Sequence, residues 1–164
     1  MSASNWSNPF NGWDDSPQVC VADVIQRWTC LIEDESPWSV MPQDDLLGLM
    51  RPLLSELLNE GREVDHERRL RRLVHLAHDH GAFRSAQRVS QAELVAEIEI
   101  VRDAIESALQ RAGMGARAAE ETVASLGPEL ELAQRASVRG WYRGCARRQA
   151  ATGSWFDRLL EELE

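Results

Sequence analysis

Three histidines, His75, His78 and His80, with His66 and Asp79 close by, are the side chains whose type and spacing could do chemistry. On a helix, residues three apart share a face and residues two apart do not. His75 and His78 can therefore converge, while His80 joins them only where the helix ends. A metal centre wants a third or fourth ligand of suitable type, and no spacing marks one. A haem iron could take one of these histidines axially, but Ala77, Gly81 and many arginines line the segment where large apolar side chains would have to enclose the ring. The expectation is therefore no cofactor and no metal, with His75, His78 and His80 the residues to hold one if any did. The plainer role is a hydrogen bond from His78 or His80 at a helix C-terminus, which the helix dipole favours.

Arginine supplies the second pattern. Arg135, Arg139, Arg143 and Arg147 recur every four residues, with Arg148 beside them, and this spacing lays guanidiniums along one slowly drifting stripe. Such a stripe can dock an acidic or phosphorylated protein partner. It can equally pair within the chain with Glu129, Glu131 or the acidic end (Asp157, Glu161, Glu162, Glu164), because solvated charge faces are common and each pair contributes little. An arginine just after Gly81, namely Arg84, can cap loose carbonyls or clamp a carboxylate such as Glu97. His78, Arg84 and Arg102 are read as structural clamps first and signal-transmitting residues second. Trp141, Tyr142 and Trp155 stand beside small residues and are read as core packing, with a dimer surface or a small apolar pocket as the alternative.

The bulk properties narrow the function classes. A net charge of −9 argues against non-specific binding to nucleic acid or to an anionic membrane. Cys20, Cys30 and Cys145 are odd in number and lack CxxC spacing, which suits a reducing cytoplasm and neither a disulfide framework nor a cysteine-rich zinc site. No basic or histidine neighbour is implied for any of them, so a catalytic thiol has no support. Residues 1–15 carry neither a basic nor an apolar signal region, and no apolar run approaches the ~20 residues that span a bilayer. Nothing in the chain reads as catalytic, and the expectation is no enzyme.

These residues need elements to position them. Helix formers dominate and no alternating Val/Ile run appears, so the chain reads as all-α, with residues 1–15 a flexible leader and 16–164 one helical domain. Ser16-Pro17 reads as a helix start, followed by a stripe of Val21, Val24, Ile25, Trp28, Leu31 and Ile32. Pro52 inside the apolar run 46–58 splits it, with one short helix ending near Met50 and another starting at Arg51-Pro52. Asp65 caps the next helix, with Leu70, Leu73, Val74 and Ala77 facing in and Arg68, Arg69, Arg71 and Arg72 facing water; it ends at the Gly81 turn. Ser90 with Glu93 forms a capping box ahead of the stripe Leu94, Ile98, Val101, Ile105 and Leu109. Gly113 and Gly115 break that helix, residues 116–126 form another, and Gly127-Pro128 restarts the chain. A helix over 130–150 and a separate short one begun by Ser154 complete the reading.

Three stretches in order resemble the RsbR-type (RsbRD) N-terminal sensor domain. They are Pro42-Gln43-Asp44-Asp45-Leu46 running into Arg51-Pro52-Leu53-Leu54-Ser55-Glu56-Leu57-Leu58; Ala77-His78-Asp79-His80-Gly81-Ala82-Phe83-Arg84; and Val89-Ser90 through Leu94 into Glu97-Ile98-Glu99-Ile100-Val101-Arg102-Asp103-Ala104-Ile105. Ile98 departs from the aromatic common at its position. The resemblance covers residues 20–112 best. It implies a globin-like bundle of about six or seven helices, usually without haem, that serves stressosome proteins or histidine kinases as a sensory module. It also implies a homodimer with protein partners, and the charge balance given above is what argues against nucleic acid and membrane. The runner-up readings are a haem- or metal-binding globin-like sensor and a stand-alone adaptor that uses the arginine stripe.

Overall fold

The computed structural model describes residues 19–33, 35, 38–59 and 64–161, with side chains to residue 153. The 1–15 leader, the Ser16-Pro17 helix start and the Trp155 side chain lie outside the described residues. The described chain is all-α: α1 (Val21–Ile32), a 3-10 turn (Trp38–Val40), α2 (Gln43–Leu47), α3 (Met50–Leu57), α4 (His66–Ala86), α5 (Gln91–Arg111), α6 (Ala116–Ser125) and α7 (Gly127–Glu161).

Helix α1 begins later than the sequence suggests. Its cap is Cys20, whose backbone N–H and thiol both donate to Asp23, at 3.2 and 2.9 Å. The apolar stripe then buries Val21, Val24, Ile25, Trp28 and Ile32. Each large side chain so buried contributes about 1.5–3 kcal/mol before entropy is counted. Helix α1 packs on α5, whose Leu94, Ile98, Val101, Ile105 and Leu109 are all buried. Ser90 accepts from the Glu93 N–H while the Glu93 carboxylate accepts from the Ser90 N–H, so the expected capping box starts α5.

The break in the 46–58 run falls two residues before the proline-based boundary. Gly48 takes φ +36 and ends α2, and α3 starts at Met50. Pro52 then lies in the first turn of α3, where its missing N–H would have had no intrahelical partner. Leu46, Met50, Leu53, Leu54, Leu57 and Leu58 are buried, which makes the pair of short helices central to the core.

Helix α4 does not stop at Gly81. It continues to Ala86, and the glycine serves a different purpose. A Cβ on Gly81 would sit 1.8 Å from the Ser137 carbonyl oxygen, and one on Gly140 would sit 1.8 Å from that of His78. Both glycines let the α4 and α7 backbones touch. Contacts along this pair keep one offset: Arg69 with Glu129, Ala77 with Ser137, and Ser85 with Cys145 are each 60 residues apart. A constant positive offset means that α4 and α7 run parallel and in register. Helix α7 is also unbroken to Glu161, so the separate terminal helix expected from Ser154 is part of it.

Candidate functional site

Two places gather the chemistry-bearing side chains. The first lies inside the bundle, where α4 turns His80 and Arg84 toward Glu97 of α5, all three with side chains 0% exposed. His80 Nε2 and Glu97 Oε2 are 3.2 Å apart. The Arg84 guanidinium donates to Glu97 through Nη2 at 2.7 Å and through Nε at 3.1–3.2 Å. Burial alone would raise the Glu97 carboxyl, but the His80 ring and the Arg84 guanidinium outweigh it and hold the group below the usual carboxylate range.

Arg84 reaches further. Its Nη1 donates to the Asp45 carbonyl at 2.8 Å and its Nη2 to the Leu46 carbonyl at 2.6 Å, which are two of the orphan carbonyls at the end of α2. The Trp38 ring lies 4.8 Å beneath the guanidinium. Arg84 thus ties α2, the 3-10 turn, α4 and α5 at one point. The sequence reading named Arg84 and Glu97 as a clamp, and the structure brings them together. It placed His80 at a helix end, whereas His80 is buried inside α4.

Arg69 does the same one step earlier. It was expected to face water, yet it is 2% exposed. Its Nη1 donates to the Glu56 and Leu57 carbonyls at the end of α3, at 2.9 and 3.3 Å, and its Nη2 pairs with Glu129 at 3.1 Å. A signal existed in the sequence: Arg69 falls on the same side of α4 as Leu73 and Ala77, at helical spacing. Of the other two expected clamps, His78 lies on the outer groove and the Arg102 clamp does not form. Arg102 is exposed and meets Glu99 only at 3.8 Å, beside a groove between α5 and α7 that includes Ile98, Pro128 and Gln134.

The second place is outside. The histidine cluster divides across α4: His80 faces the core, while His75 and His78 face a groove of about 420 Å³ between α4 and α7. Across it stand Arg135, Arg139 and Arg143, with Val74, Leu132 and Ala136 forming the apolar part. Arg147 is exposed further along α7 and does not line it. Arg135 pairs with Glu131, and His78 Nδ1 lies 3.4 Å from Asp79. Among the described residues no carboxylate pairs with Arg139 or Arg143, and no three His, Cys, Asp or Glu side chains come together as a metal would require. No described helix is long and apolar enough to cross a membrane. Comparison with protein-family models, with curated proteins and with solved structures finds no match.

Proposed function

We propose that this chain is a non-enzymatic regulatory module, cytoplasmic and dimeric, that passes a partner's binding or a stimulus through helix packing to a signalling protein. The observation that carries the reading is the ionic knot of His80, Arg84 and Glu97. Its residue types are those of acid–base catalysis, yet at 0% exposure no substrate reaches it. What it does is couple four elements, so displacing any one of them strains the rest, which is the requirement for a packing switch. The resemblance of residues 20–112 to RsbRD-type sensor domains supports the same reading, including the bacterial stress-signalling setting and the globin-like arrangement.

A haem- or metal-sensing version has less to work with, because His80 is committed to Glu97 and only His75 and His78 share an outer face. Absorption spectroscopy, elemental analysis and native mass spectrometry of untagged protein test the proposal together. The expected result is a dimer without a Soret band or stoichiometric metal. A Soret band or bound metal lost in His75→Ala or His78→Ala would overturn the cofactor-free reading, and a strict monomer would overturn the dimeric one.

A further inference from the structure

The groove between α4 and α7 joins two patterns that the sequence keeps apart, the His75/His78 pair and the arginine stripe. From its geometry we infer that the groove is a recognition site for a phosphorylated side chain on a protein partner. The inference rests on the regulatory reading above and names the chemistry of its partner.

Four observations converge on that ligand. The eight groove-lining residues include three arginines and two histidines and no carboxylate, in a chain with 27 acidic and 18 basic residues overall. A groove that gathers cations in an otherwise acidic chain favours a ligand whose negative charge is concentrated at a point. An extended acidic peptide would be repelled by the rest of the surface. A phosphoryl group brings about −1.5 to −2 charges and three strong acceptor oxygens to that one point. Second, Arg139 and Arg143 are exposed and without a carboxylate partner among the described residues, so their guanidinium forks are available to grip phosphoryl oxygens in pairs.

Third, the imidazoles of His75 and His78 approach from the facing helix, so donors stand on both walls. Two contacts compete with the ligand: Glu131 on Arg135 and Asp79 on His78, the latter at 3.4 Å. Fourth, Val74, Leu132 and Ala136 give the groove an apolar part. From Arg135 to Arg143 is ~12 Å along α7. A bare phosphate ion uses neither the length nor the apolar surface, whereas residues flanking a phosphorylated side chain use both.

The test is a titration of the full chain, followed by NMR of the His75 and His78 imidazoles, with three probes. These are a short capped peptide carrying phosphoserine between leucines and alanines, the same peptide with aspartate in its place, and inorganic phosphate. The expected result is saturable shifts with the phosphopeptide, about tenfold tighter than with either other probe. Arg139→Glu and Arg143→Glu, both on the exposed face, abolish the shifts while circular dichroism and Tm stay unchanged. Equal binding of the aspartate peptide or of inorganic phosphate overturns the inference, as does binding that survives both charge reversals. Capture of a signalling partner that persists after phosphatase treatment also overturns it, yet leaves the regulatory reading in place, so the two fail separately.

Discussion

Glu97 is a carboxylate with no access to water. Its charge is tolerable because Arg84 and His80 replace the lost hydration, and this sets the sign of its pH effect. Its folded-state pKa lies below the unfolded value of about 4.3, so the unfolded chain binds the proton more readily. The stability it contributes is fully present above that unfolded value and is lost as pH falls through the lower folded one. Glu97→Gln removes that acid dependence and leaves the Arg84 guanidinium buried without its charge partner, at a cost of about 3–5 kcal/mol. Urea denaturation from pH 7 down to pH 3 checks both parts: the variant is weaker at neutral pH and loses less on acidification. Arg84→Met costs a similar amount, and the double variant costs less than the sum, which a double-mutant cycle measures. At this scale the sequence was partly legible. An arginine and a glutamate with roles to fill could be paired in advance. The burial of His80 could not, because it depends on Glu97 of α5 standing opposite; Arg69 shares a helical face with Leu73 and Ala77, but only the position of α3 shows which carbonyls it satisfies.

Helix boundaries turn on single residues, and here glycine misleads. Gly81 reads as a C-terminal stop, yet it is an interhelix contact. The real stop is Arg88, with φ 63 in the left-handed region. There the Val89 N–H donates to the Arg84 carbonyl and the Arg88 N–H to the Ser85 carbonyl, which closes α4 in the manner usually built on glycine. An exposed arginine in that conformation is costly relative to glycine, by about 1–2 kcal/mol. Arg88→Gly should therefore stabilise the protein by about 1 kcal/mol, read as a higher Tm with an unchanged helical spectrum; no gain would mean that the arginine side chain makes up the difference. Helix α5 shows the legible case, since Gly113 at φ 98 supplies the same closure with the expected residue. The ends of α5, with a capping box at Ser90 and a closing glycine at Gly113, were readable. Those formed by Arg88 or by Asn59, at φ 53, were not.

At the scale of the molecule the parallel α4–α7 pair is the frame on which both sites depend. Arg69 and Arg84 reach from α4 to hold the C-termini of α3 and α2, of eight and five residues, which are too short to persist alone. On its outer side α4 shares with α7 the groove of His75, His78, Arg135, Arg139 and Arg143. Any ligand that spreads or tightens that groove moves the helix that carries the buried knot, so the spacing of the pair is the quantity to perturb. Gly140→Ala does so directly, because its methyl group would meet the His78 carbonyl at 1.8 Å and neither backbone can yield without shifting the whole helix. In an unconstrained helix the same change helps by roughly 0.4–1 kcal/mol, and Gly153→Ala, with nothing within 4 Å of its added Cβ, supplies that reference on the same helix. The expected outcome is opposite signs: Gly153→Ala raises Tm, while Gly140→Ala lowers it and speeds hydrogen exchange in α2 and α3 as well as in α4. Faster exchange confined to α4 and α7 would show that the frame moves without its attachments, and the coupling between groove and knot would have to be abandoned.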